Sequence, residues 1–188
     1  MMKQQTASQT VGPFFSIGMV YGELNNLIQD KTAGERINLM GRLLDGDGAP
    51  VSDGVIEIWQ ADANGIYNHS KDTRQSDADG AFFGYGRSGT NGEGIYTFRT
   101  IRPGIVGDTG VDMAPHINVR ILMRGLLLHA VTRLYFSDED NSADPILNNV
   151  PEERRHTLIA QRDDSEGTPL YRLDFRMQGD GETVFFEP

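Results

Sequence analysis

The side chains best placed to do chemistry stand in two short stretches. In Asn64-Gly65-Ile66-Tyr67-Asn68-His69 a phenol and an imidazole follow an Asn-Gly turn, and both are able to bind a metal. In Ala114-Pro115-His116-Ile117-Asn118, strand geometry would put His116 and Asn118 on one face. A phenol with its ordinary pKa near 10 ligates only an ion acidic enough to strip its proton, and ferric iron is such an ion. Tyr67 with His116 is therefore the candidate metal pair. Two donors are too few to hold ferric iron, and turn chemistry alone also explains the first stretch, with Tyr67 packed under a loop and His69 in water.

The elements that must position these residues read as strands. Val55-Ile56-Glu57-Ile58-Trp59-Gln60 is rich in β-branched and aromatic residues and leads into the Asn-Gly turn. Residues 37–44, 95–101, 116–123 and 129–136 alternate in the same way, and in the last Val131, Arg133 and Tyr135 share a face. Between them, 68–94 reads as one long surface excursion and 105–113 as a second loop. A short helix is expected around Leu24–Ile28. A clearer one is expected at 151–161, with Pro151 at its first position and Glu152 and Glu153 at the positive end of its dipole. The alternation of Tyr171, Leu173, Phe175 and Met177, the glycine turn 179–181 and Thr183 to Phe186 predict a closing β-hairpin. The fold class is mainly β: an antiparallel β-sandwich with long loops and one short helix. Residues 1–188 are expected to form a single domain with an N-terminal arm over about 1–15.

Composition narrows the partners. A net charge of −10 and a pI near 4.7 argue against nucleic acid and against an anionic membrane surface. Absence of cysteine removes disulfides, zinc–thiolate sites and a thiol nucleophile. Met1 to Thr6 carry no apolar stretch of signal-peptide length and no run reaches a membrane span, so the expected location is cytoplasmic. Phosphate-loop, Gly-x-Ser-x-Gly and His-Glu-x-x-His patterns are missing, and the glycine-rich run Gly84–Gly94 is not followed by a helix that could hold an anion. Asp45, Asp47 and Asp53 lack the spacing and terminal Glu of a calcium loop and read as a turn. His129 and His156 have no paired ligand nearby.

In its longer motifs the chain resembles the intradiol ring-cleavage dioxygenases, and among them the α subunits of the two-subunit enzymes. The resemblance runs through Ser8-Gln9-Thr10-Val11-Gly12-Pro13-Phe14, the stretch from Glu57 to Tyr67, Thr100-Ile101-Arg102-Pro103-Gly104, Ala114 to Asn118, Thr132-Arg133-Leu134-Tyr135-Phe136, and in the tail Tyr171 to Phe175 and Gly181 to Phe186. It implies a β-sandwich with long loops. It also implies a ferric site built, in the catalytic β subunit, from two tyrosines and a His-x-His pair. Tyr67 matches one tyrosine, Val106 stands at the other, and His116 and Asn118 stand at the histidines. Met113 stands where the β subunit has an arginine. Tyr67, Val106, His116 and Asn118 are thus expected to be relic ligand positions, with no metal and no catalytic residue in this chain alone.

The same resemblance implies an iron-bearing β partner holding Fe(III). To the pocket of that partner this chain would contribute Thr10, Gly12, Pro13 and Arg133. The implied reaction cleaves 3,4-dihydroxybenzoate with O₂ to 3-carboxy-cis,cis-muconate, on the β-ketoadipate route of aromatic degradation. Two other readings stay open: a self-sufficient intradiol enzyme with altered ligands, and a non-enzymatic β-sandwich that only binds.

Overall fold

The computed structural model describes residues 15–107, 110–165 and 167–187. Within them lie strands β1 (Arg36–Leu44), β2 (Val55–Gln60), β3 (Tyr85–Gly89), β4 (Ile95–Ile101), β5 (His116–Leu122), β6 (Ala130–Phe136), β7 (Ile159–Asp163), β8 (Leu170–Arg172) and β9 (Phe175–Arg176). The helices are short: α1 (Phe15–Met19) and α2 (Pro145–Asn148). Among the described residues the strands form one sheet in the order β3-β2-β5-β6-β7-β8-β1-β4, with β9 also paired to β1.

The fold is mainly β, as expected, but the sheet is mixed where an antiparallel sandwich was expected. β6 runs parallel to β7, and β1 runs parallel to both β8 and β9. The sheet curls so that its halves face each other across one core. Ile37 and Leu39 of β1 and Phe98 of β4 share that core with Ile56, Ile58, Val119 and Leu134 from the other half. Each such side chain, fully removed from water, stabilises the curl by about 1.5–3 kcal/mol.

Several expected elements differ. The helix expected at 151–161 is a 3₁₀ helix over Glu152–Leu158, after which the chain turns extended as β7. Pro151 and the two glutamates start a helix, but Leu158 and Ala160 are drawn into the cores and Ile159 pairs with Tyr135. α2 was not expected, although Asp144-Pro145 is a strong start: the Asp144 side chain accepts from the Ile146 and Leu147 amides and Pro145 opens the helix. Of the closing hairpin only the turn end forms, where the Thr183 amide donates to the Arg176 carbonyl at 2.9 Å; β8 and β9 lie beside β1, and Phe186 is bridged to Val131. The excursion 68–94 contains a strand, β3, whose inward residues are Gly86 and Ser88. A strand whose buried positions carry no large apolar side chain leaves no hydrophobic alternation to read.

The segment expected as a helix around Leu24–Ile28 is a turn, closed by the Asn26 amide donating to the Glu23 carbonyl at 3.1 Å, followed by an extended run, and it closes the gap between the sheet's two ends. The Leu24 carbonyl accepts from Arg87 of β3 at 3.0 Å, and the Asn25 carbonyl accepts from Arg99 of β4 at 2.9 Å. The Leu27 amide donates to the Arg99 carbonyl at 2.9 Å. Both edge strands are thereby covered by the chain itself.

Candidate functional site

The site lies on the face of β5 and β6 turned away from the main core. Ile117, Val119 and Ile121 fill that core, so His116, Asn118 and Arg120 must face outward. On β6, Leu134 and Phe136 point in, which sends Val131, Arg133 and Tyr135 to the same outer face. β2 lies on the other side of β5 and contributes Trp59, opposite Asn118.

Past Trp59 the chain folds back around one carboxylate. Asp62, only 2% exposed, accepts from the Asn64 and Ile66 amides through Oδ1 at 2.9 and 3.0 Å. Its Oδ2 accepts from the Asp79 amide at 2.8 Å, and its carbonyl accepts from Gly104 at 2.9 Å. Asp62 thus ties the turn to the 68–94 loop and to Gly104, at the entry of the second. Gly65 completes the turn with φ +74°, and a Cβ there would stand 1.8 Å from the Ile105 carbonyl oxygen. Only glycine meets both demands. The result sets Tyr67 flat against Trp59, with ring centroids 5.8 Å apart, and aims its hydroxyl at β5.

Three of the four expected ligand positions meet there through hydrogen bonds. The Tyr67 hydroxyl is 3.3 Å from His116 Nε2, and Asn118 Nδ2 donates to it at 3.0 Å. His116 Nδ1 stands 2.8 Å from the Ala114 carbonyl, which can only accept, so Nδ1 carries the proton and Nε2 is the acceptor. Asn118 Nδ2 also donates to the Trp59 carbonyl at 3.2 Å, which fixes its amide with the NH₂ inward. Protons therefore run in one direction, from Asn118 to Tyr67 to His116 to Ala114. Burial, helped by the Arg133 charge, pulls His116 down to about 4, and it is neutral at pH 7. Burial pushes the Tyr67 phenol up, against the Asn118 bond and Arg133, so it keeps its proton.

The fourth position, Val106, is buried and exchanges two backbone hydrogen bonds with Met113, at 3.1 and 2.8 Å. Val106 and Tyr67 border a recess of about 260 Å³ together with Trp59, His69, Lys71 and Asp72. His69 does not join the network among the described residues. Its Nδ1 accepts from the Lys71 amide at 3.1 Å, and its ring stands edge-on to Trp59. Arg133 Nη1 approaches Met113 Sδ at 3.6 Å. His129 and His156 lie in other parts of the chain with no hydrogen bond to these residues. Thr10, Gly12, Pro13 and Phe14 fall outside the described residues.

Sequence reasoning missed three buried acids that hold this face. Asp62 was legible as the residue two before Asn-Gly, the usual place for a side chain that closes such a turn. Asp144 was legible as an N-cap before proline. Glu57 had no signal beyond its place in a strand. It is 7% exposed and accepts from Tyr85 Oη at 2.8 Å and Arg87 Nε at 2.9 Å, next to Trp59.

Fold and site together define a curled, mixed β-sheet protein with a phenol–imidazole pair on its outer face. The family model Dioxygenase_C, described as "Dioxygenase", matches residues 11–179. The protocatechuate 3,4-dioxygenase alpha chain of Burkholderia cepacia is 46% identical over 198 residues, covering 98% of each chain. The beta chain from that organism is 37% identical over 154 residues, or 78% of this chain and 66% of its own length. Among solved structures, an intradiol ring-cleavage dioxygenase from Tetranychus urticae shares the fold with a TM-score of 0.64, at 21% identity, over 95% of this chain and 98% of that one. The chain belongs to the intradiol dioxygenase family, whose members are oxidoreductases that incorporate O₂.

That family uses ferric iron, and the donors here do not fit it. Ferric iron asks for anionic oxygen and imidazole ligands. Val106 offers no lone pair, and Asn118 presents an NH₂ that is already donating. Tyr67 and His116 alone keep ligand chemistry, and each is a member of a closed hydrogen-bond chain. Among the described residues no group of three or more His, Asp or Glu side chains converges. Nor is any helix among them long and apolar enough to cross a membrane.

Proposed function

We propose that this chain is the α, non-iron subunit of a protocatechuate 3,4-dioxygenase, assembled with an iron-bearing β subunit related to it. One observation carries the reading: at the family's four ligand positions stand a protonated phenol, a neutral imidazole, an amide and an isopropyl group, and the three polar ones satisfy each other. Tyr67, Val106, His116 and Asn118 are then relic positions, and Fe(III) belongs to the partner. The likeness to both an alpha and a beta chain supports two homologous subunits in one complex. The substrate is 3,4-dihydroxybenzoate, into which both atoms of O₂ enter between the two hydroxyl-bearing carbons to give 3-carboxy-cis,cis-muconate.

In this reading the chain is a single domain with an N-terminal arm over about 1–15. Thr10, Gly12, Pro13 and Arg133 help to wall the pocket in which the partner holds its iron. Arg133 binds the substrate carboxylate, because a guanidinium meets a carboxylate in matching fork geometry. Iron chemistry stays with the partner; this chain binds, orients and excludes water.

Co-expression with a β homologue, followed by iron and activity measurement, tests the proposal. The complex is expected to cleave 3,4-dihydroxybenzoate with about one iron for each αβ pair. The chain purified alone is expected to lack the red-brown tyrosinate-to-iron colour. One iron per chain with that colour in the lone chain would overturn the reading.

A further inference from the structure

Arg133 is half-buried, and no carboxylate among the described residues lies within ion-pair range of it. Its neighbours on this face are neutral acceptors. Met113 Sδ lies 3.6 Å from Nη1, and Tyr135 stands two residues on along the same face of β6, close enough for the Arg133 charge to act on its phenol. The Tyr135 hydroxyl gives its proton to Asp144 Oδ1 at 3.0 Å. A phenol whose proton is committed turns only lone pairs toward a neighbour, and a guanidinium has only donors to offer.

Asp144 in turn cannot move. It is 1% exposed, and its two oxygens accept from the amides of Ala114 at 3.0 Å, Ile146 at 2.9 Å and Leu147 at 2.8 Å. Tyr135 is fully buried, packed with Ala114, Leu147, Val150 and Leu158. We infer that Asp144 and Tyr135 form the positioning unit that aims the Arg133 guanidinium, with Met113 as its lateral stop. This rests on the reading of Arg133 as the residue that meets the substrate carboxylate. Neutral acceptors suit that task. An acid at either place would orient the guanidinium but also neutralise it, whereas a thioether and a phenol orient it and leave its charge for an incoming anion.

The test uses the assembled αβ enzyme with two substrates, 3,4-dihydroxybenzoate and catechol, the same diol without the carboxylate. Tyr135→Phe removes one oxygen and keeps the ring. It is expected to raise KM for 3,4-dihydroxybenzoate about 3- to 10-fold, the scale of one ordinary hydrogen bond. The kcat, and KM for catechol, are expected to stay within about twofold. Met113→Leu, which keeps the volume and removes the sulfur acceptor, is expected to act in the same direction and carries the test if Tyr135→Phe does not assemble. Arg133→Ala is the control, expected to cost about 10- to 100-fold in KM for the carboxylated substrate only. If Arg133→Ala shows that selectivity and neither Tyr135→Phe nor Met113→Leu does, the positioning unit is refuted and the role of Arg133 stands. If Arg133→Ala has no carboxylate-selective effect, the reading beneath fails. A Tyr135→Phe effect equal for both substrates marks a structural role and overturns the inference.

Discussion

Acidification should weaken this protein through His116. The imidazole is fully buried and held at about 4, against an ordinary value near 6.5. Burial is the main cause and the Arg133 charge the second. Between pH 6.5 and about 4 the unfolded chain carries a proton here that the folded chain does not, so unfolding takes up protons and stability falls as pH falls. Above pH 6.5 the site contributes no slope. At about 1.4 kcal/mol for each pH unit, the whole window is worth about 3 kcal/mol. Protonation also removes the acceptor that Tyr67 uses, so the phenol network opens in the same step.

Urea unfolding at pH 7 and pH 4.5 reads this out, comparing wild type with His116→Gln in the same assembly state. Trp59, the only tryptophan, is stacked on Tyr67 and reports on the site by fluorescence. The stability advantage of wild type over the variant is expected to shrink by about 2–3 kcal/mol between the two pH values. Parallel losses in the two proteins would mean that His116 titrates normally in the folded state, and the account of its burial would be wrong.

Two further outcomes concern the turn before Tyr67. Asp62→Ala leaves the amides of Asn64, Ile66 and Asp79 without their acceptor and is expected to cost about 3–5 kcal/mol in denaturant unfolding; a loss below about 1 kcal/mol would refute its role in tying the turn to the 68–94 loop. Gly65→Ala forces a Cβ against the Ile105 carbonyl in a left-handed backbone and is expected to destabilise by more than about 2 kcal/mol, with altered Trp59 fluorescence as the loop bearing Val106 moves away. Unchanged unfolding and fluorescence would refute that contact.

Much of the site was legible because its strands are. His116 and Asn118 share a face, as do Val131, Arg133 and Tyr135, and the period of two puts them together once the alternate residues are apolar. The Asn64-Gly65 turn was equally plain. What stayed hidden depends on groups with no periodic signature. Gly86 and Ser88 make β3 an inward-facing strand without hydrophobic alternation. Ile159 follows a sound helix start, but its pairing with Tyr135 decides in favour of a strand. Asp62 and Asp144 show locally as a turn and a helix start, but each also holds one distant amide, of Asp79 and of Ala114, that no local pattern announces.

The parallel pairing of β1 carries a consequence for how the chain reaches its native state. β1 is hydrogen-bonded to strands from the far end of the described chain, where Arg42 and Asp174 lie 132 residues apart in sequence. Closing so long a loop comes before any contact rewards it, and topologies of this kind fold slowly. During synthesis β1 can meet β4 early but must wait for the stretch 170–176, and until then one side of β1 is an open template for other chains. Shortening the tail before residue 170 would therefore split the sheet between β7 and β1 rather than trim its rim. A nascent chain of this kind gains from low temperature, slow expression or a chaperone more than from any stabilising change near Tyr67.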